Sequence, residues 1–145
     1  MIKIMIIKNY AGKMRVIVDT PIWSLAFRKK GDSEENINIS NLIALIRDAQ
    51  VEIIGPIRQE VLSGISDINK FNEIKDKMSV FMDYIVQTSD YEFAAECSNK
   101  CRVNGIQGSH TDFLICVVAI KNDWVIFTTD KDFLDYEKYL PIKIF

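Results

Sequence analysis

At 145 residues with 48% hydrophobic side chains, the chain has the length of one domain and enough apolar material to bury a sizeable core. Charged residues make up 26%, with 18 basic against 20 acidic side chains and a net charge of −2, which excludes long disordered stretches and a generally basic nucleic-acid-binding surface. The longest apolar run, Phe113 to Ile120, is far shorter than the roughly 18 to 20 residues that span a bilayer.

No repeat with a period of 20 to 50 residues supports a solenoid. Three cysteines without a CxxC spacing make neither a disulfide framework nor a zinc site, so a reducing, cytoplasmic setting is expected. The opening MIKIMIIKNYAGK lacks the cleavage site and apolar length of a secretory signal. It is read as an extension before the domain at 14–145, with Met14 as the expected native start.

In chain order, Met14 to Asp19 predicts a buried strand of β-branched residues ending in an acid. Thr20 as N-cap and Pro21 at the first helical position then open a helix through Phe27. Residues 29–36 form a polar loop, and Ile37 to Ala49 places Ile39, Leu42, Ile43, Leu45 and Ile46 at helical spacing. Val51 to Ile54 is a second strand. Gly55-Pro56 opens a helix through Leu62 that Gly64 closes. A helix from Ile68 to Phe81 and a strand at Tyr84 to Val86 follow.

Ser89-Asp90-Tyr91-Glu92 has the form of a capping box for a helix through Val103, with Gly105 just past its end. The run DFLICVVAI fits strand or buried helix by periodicity; its Thr111 cap and the following strand, Trp124 to Thr128, favour helix. A helical turn around Phe133 to Tyr136 and a strand at Ile142 to Phe145 end the chain. Alternating strands and helices predict an α/β sandwich with a mainly parallel sheet, whose ligand sites lie at the carboxyl ends of the strands.

Two acids fall at such ends, Asp19 after the first strand and Asp130 after WVIFTT. Asp112 is the only charge heading an apolar helix, where the helix dipole favours a carboxylate. Glu60 is flanked by Ile57, Val61 and Leu62. Each acid alone is explained as a helix start, a half-exposed helix residue or a turn former. Together at one edge of the sheet they repel unless a cation lies between them, and oxygen-only ligands suit Mg2+ or Mn2+.

Bound cations would offset the acidic balance, and Arg28, Lys29, Lys30, Arg58, Arg102 and Lys131 are candidate phosphate contacts or ordinary solvated charges. His110, the sole histidine, excludes a two-histidine acid/base nuclease. Cys97 and Cys101, four apart on one helix, read as packed thiols, and Trp23 and Phe27 as core.

Four segments carry a resemblance to a family: VDTPIWSLAFR, GPIRQEVLSGI, GIQGSHTDFLICVVAI and FTTDKDF. In this order and at these separations, the chain from Met14 to Phe145 resembles the PIN-domain ribonucleases of the VapC toxin group. The resemblance implies a PIN-like three-layer α/β/α sandwich and Mg2+- or Mn2+-dependent endoribonuclease activity on RNA. It further implies a VapB-like antitoxin partner and a homodimer. It makes Asp19, Glu60 and Asp112 metal ligands, with a fourth acid from Asp130 or Asp132; Asp130 is favoured because it directly follows Thr128-Thr129, with Asp132 as a further contributor. Thr20, Arg58, Thr128 and Lys131 are expected to contact substrate.

Other uses of strand-end aspartates fit less well. A phosphatase of the haloacid class needs an acid where Pro21 stands, and a receiver domain needs paired acids where Asp19 stands alone. The remaining alternative is a catalytically inactive PIN-like module that binds RNA or protein.

Overall fold

A computed structural model describes residues 13–28 and 36–145. Residues 1–12 and 29–35 lie outside it, and with them all but Lys13 of the N-terminal extension, all but Asn36 of the expected polar loop, and the candidates Lys29 and Lys30. The described elements in chain order are β1 (Val16–Val18), α1 (Thr20–Phe27), α2 (Ile37–Arg47), β2 (Val51–Ile54), α3 (Gly55–Ser63), α4 (Ile68–Met78) and β3 (Asp83–Tyr84). They continue with α5 (Thr88–Val103), α6 (His110–Asn122), β4 (Val125–Phe127), α7 (Asp132–Glu137) and β5 (Lys143–Ile144). The five strands form one sheet in the order β3-β2-β1-β4-β5, and every pairing is parallel.

Parallel strands require crossover connections, which are right-handed in nearly all proteins. The chain leaves β1 toward β2 and β3, then returns to pair β4 on the other side of β1. The helices therefore divide into two groups on opposite faces. In the first, α1 packs on α2 and α3, and α3 on α4; in the second, α5 packs on α6.

The expectation of a specifically PIN-like sandwich is corrected, because this architecture does not single that family out. What the described residues specify is an α/β fold with five parallel strands and seven helices. Such an order follows from general rules of handedness and packing shared by unrelated families, so it carries no family designation.

The apolar run in the second half of the chain is helical, and Phe113 to Ala119 are all buried in α6. A helix buried all round has no polar face, which is why its sequence has no clear helical period. The three cysteines are free and buried, and Trp23 is enclosed between Phe27 and Phe81. Its indole Nε1 donates to the carbonyl of Val18 at 3.0 Å, fastening α1 beneath the end of β1.

Several helix starts differ from expectation by one or two residues. Asp19, not Thr20, caps α1; Ser109, not Thr111, caps α6; and the α5 start shifts to Gln87 with Asp90 as the third helical residue. At α1 and α6 the capping oxygen belongs to the side chain that points back toward free N–H groups, while at α5 the Asp90 carboxylate accepts from the Gln87 N–H. Gly64 ends α3 with φ −80°, so it uses none of glycine's left-handed freedom there, whereas Gly105 after α5 has φ 79°.

Asp90 is fully buried and accepts hydrogen bonds from the Gln87 N–H at 2.9 Å, from Tyr84 Oη at 3.3 Å and from Lys121 Nζ. It joins α5, the edge strand β3 and α6. Asp90→Ala is expected to lower the unfolding free energy by about 3 kcal/mol, the lower end for breaking a buried pair, because Lys121 keeps some solvent. Urea denaturation of the two proteins measures the difference.

Candidate metal centre

The pairing of β1 with β4 brings two acid-bearing turns side by side. The Asp19 N–H donates to the Phe127 carbonyl at 2.9 Å, so the residue after β1 is hydrogen-bonded to the last residue of β4. The chain turns into α1 at Asp19, whose Oδ1 accepts from the Thr20 N–H at 2.8 Å. Its Oδ2 accepts from Thr128 Oγ1, also at 2.8 Å, and that hydroxyl in turn accepts from the Asp130 N–H at 3.0 Å. Thr128 thus couples the two turns. Asp130 Oδ1 accepts from the Asp132 N–H at 2.9 Å, which sets the entry into α7.

Asp112 arrives from the other side of the sequence, on the first turn of α6, with its N–H donating to Ser109 Oγ at 3.0 Å. Its Oδ2 accepts from Tyr136 Oη at 2.7 Å. One carboxylate oxygen each from Asp112, Asp130 and Asp132 lies within 4.8 Å of the others. Both aspartates of TTDKDF therefore lie close to Asp112. Glu60 is exposed on α3, and its Oε1 accepts from Thr20 Oγ1 at 2.9 Å, beside Asp19.

Burial pushes the Asp19 carboxyl up to about 6, against the hydrogen bonds from Thr128 and Thr20; the charges of Asp112 and Glu60 push it further up. Burial likewise raises Asp112, opposed by its bonds to Tyr136 and Ser109 and aided by the charge of Asp130. At the 4.8 Å limit of these separations an ionised pair repels by about 3.5 kcal/mol at an effective dielectric of 20, less where solvent screens it. An oxygen-only donor set of this kind fits a hard divalent cation, Mg2+ or Mn2+, which would relieve that repulsion.

The expected substrate contacts are dispersed. Thr20 and Thr128 spend their hydroxyls on Glu60 and Asp19. The Arg58 guanidinium donates to Asp83 and to the carbonyls of Met78 and Phe81, tying α3 to the corner between α4 and β3. Three of its five N–H donors are engaged in that fork of acceptors. Lys131 is exposed at the start of α7, His110 is exposed at the start of α6, and Arg102 bonds to Asn99 at 3.2 Å. Two residues at the site were missed. Ser109 was legible as the first member of Ser-His-Thr-Asp, a Ser-x-x-Asp cap; Tyr136 had no local signal, since only the docking of α7 brings it to Asp112.

The unfolded Asp19 carboxyl titrates near 3.8, so between there and about 6 the folded protein binds more protons than the unfolded chain. The stability present below 3.8 is therefore lost as pH rises through 6, by roughly 3 kcal/mol from this group. Metal-free parent protein should melt at falling temperatures from pH 4 to pH 7, and Asp19→Asn should lose most of that slope. Thermal melts in chelator at several pH values give the comparison; parallel curves would remove Asp19 from the electrostatics of the site.

A scan against protein-family models finds no match, and a search of curated proteins finds none either. Several solved structures share the fold, among them the following three. FitAcB from Neisseria gonorrhoeae is 15% identical, with 90% of this chain and 96% of that chain covered at a TM-score of 0.68. VapBC2 from Rickettsia felis, bound to a DNA fragment from their promoter, is 18% identical over 90% and 96% at 0.69. FitAB bound to the IR36 DNA fragment is 15% identical over 90% and 93% at 0.68. These findings correct the assignment made from motifs. At 15 to 18% identity the likeness carries the fold alone, and it leads to toxin–antitoxin complexes, two of them on DNA, not to a nuclease on its RNA. Membership of the PIN ribonucleases and the role of an RNA-cleaving VapC toxin are withdrawn; the fold is one found in toxin–antitoxin complexes.

Proposed function

We propose that the chain is a divalent-cation-dependent hydrolase of phosphate esters whose centre is the acid cluster at the carboxyl ends of β1 and β4. The observation that carries this reading is the convergence of Asp112, Asp130 and Asp132 within 4.8 Å. Those three side chains would hold the cation, with Asp19 and Glu60 adding negative charge beside it. A bound Mg2+ or Mn2+ would supply Lewis-acid polarisation of a phosphoryl oxygen and a nucleophilic water at neutral pH.

The protein's own groups have separate tasks. Thr128 keeps Asp19 Oδ2 in place through its hydroxyl, and Thr20 does the same for Glu60. The burial that raises Asp19 holds it protonated below about pH 6, so cation binding there competes with a proton. Lys131, exposed beside Asp130 and Asp132 in sequence, supplies a positive charge for an anionic substrate.

A second reading is favoured by the two DNA-bound neighbours: nucleic-acid binding beside a partner protein, without turnover. On that reading the acid cluster would pair with an arginine of the partner protein, the side chain that matches carboxylates.

Purified protein offered a bis-phosphodiester model compound, single-stranded DNA, duplex DNA and RNA should hydrolyse at least one of them with Mn2+, and lose that activity in excess chelator. Saturating Mn2+ at 100 times its Kd should also raise the unfolding free energy by about 2.7 kcal/mol. Retention of a labelled strand without cleavage of any phosphodiester, with or without metal, would replace the hydrolase reading by the binding one.

A further inference from the structure

The carboxylate of Asp112 is held by a side chain that no motif announces. Tyr136 is fully buried on α7, four residues after Asp132, and its hydroxyl donates to Asp112 Oδ2 at 2.7 Å. Its ring lies between Phe133, with centroids 5.1 Å apart at 71°, and Phe113, at 5.0 Å and 43°. The remaining side is closed by Gly108. A Cβ at that position would stand 2.2 Å from Tyr136 Oη, 2.7 Å from Cζ and 3.0 Å from Phe113 Cε2. The glycine is required there by space, because the tyrosine hydroxyl passes directly over its backbone.

We propose that Tyr136 is the positioning residue of the cation site, and that Gly108 is the gap that admits it. The tyrosine touches neither cation nor substrate. It fixes the plane of the Asp112 carboxylate and ties α6, which carries Asp112, to α7, which carries Asp132. An aspartate on the first turn of a helix otherwise rotates freely about its side-chain bonds, and a ligand so placed spends binding energy on being ordered. Hydrogen bonds from outer residues to metal ligands characteristically alter affinity by 10- to 100-fold. The inference rests on the cation-binding reading and names the residue that makes it specific.

Mn2+ serves as the probe, its binding followed by calorimetry and its bound state by electron paramagnetic resonance. Tyr136→Phe keeps the ring between Phe113 and Phe133 and deletes only the hydroxyl. It is expected to bind Mn2+ about 10- to 100-fold more weakly than the parent, with a changed spectrum of the bound ion. Gly108→Ala should show the same loss, and the double variant little more than either, because both remove one hydrogen bond. If the parent binds Mn2+ and Tyr136→Phe binds it with the same Kd and spectrum, the positioning role is overturned and the cation reading stands. If the parent binds no Mn2+, both fall. A folded Tyr136→Phe, verified by its circular dichroism, carries the result even where Gly108→Ala does not fold.

Discussion

The parallel pairing of β1 with β4, extended by the hydrogen bond from the Asp19 N–H to the Phe127 carbonyl, is the contact on which the site depends. The two strands are more than a hundred residues apart in sequence, and their pairing is where the chain reverses its progress across the sheet. At that reversal the loops leaving the two strands diverge to opposite faces and open a crevice between them. Asp19 and Asp130 stand on its two lips. Everything else at the centre is attached to this pair: Thr128 joins them, Glu60 reaches in through Thr20, and α6 delivers Asp112.

The energetic character of the site follows from that geometry. Carboxylates that helix and strand packing force together oppose folding when all are charged, and the protein answers in two ways. Burial lets Asp19 keep its proton to about pH 6, and hydroxyls from Thr128 and Tyr136 satisfy oxygens that solvent no longer reaches. A cation would do the rest. On the proposed reading, the metal-free stability of this edge and its capacity to hold a cation are opposed.

The acids were readable and the family was not. Asp19 and Asp130 at strand ends of an alternating chain direct attention to one edge of the sheet, because α/β folds as a class place ligands there. The further step, from four ordered segments to PIN-domain ribonucleases, went past what placement can support. Many families put acids at that edge, and the solved neighbours at 15 to 18% identity share the fold and are toxin–antitoxin complexes. At residue scale, the sequence offers Arg58 as one basic side chain among several, and only the packed structure shows three acceptors at the α4–β3 corner around it.

By itself the sequence determined the element order, the buried nature of α6 and the positions of the acids, since hydrophobic period, turn residues and caps are local properties written within a few residues of one another. The tertiary structure alone decided which acids meet. Asp130 and Asp132 both reach Asp112 because α7 docks with Tyr136 over Gly108, a contact between residues 24 and 28 positions apart along the chain and its neighbours that no local pattern encodes. Capping residues moved by a position or two for the related reason that a helix start is chosen by which free N–H groups the packed turn exposes, not by which capping residue comes first.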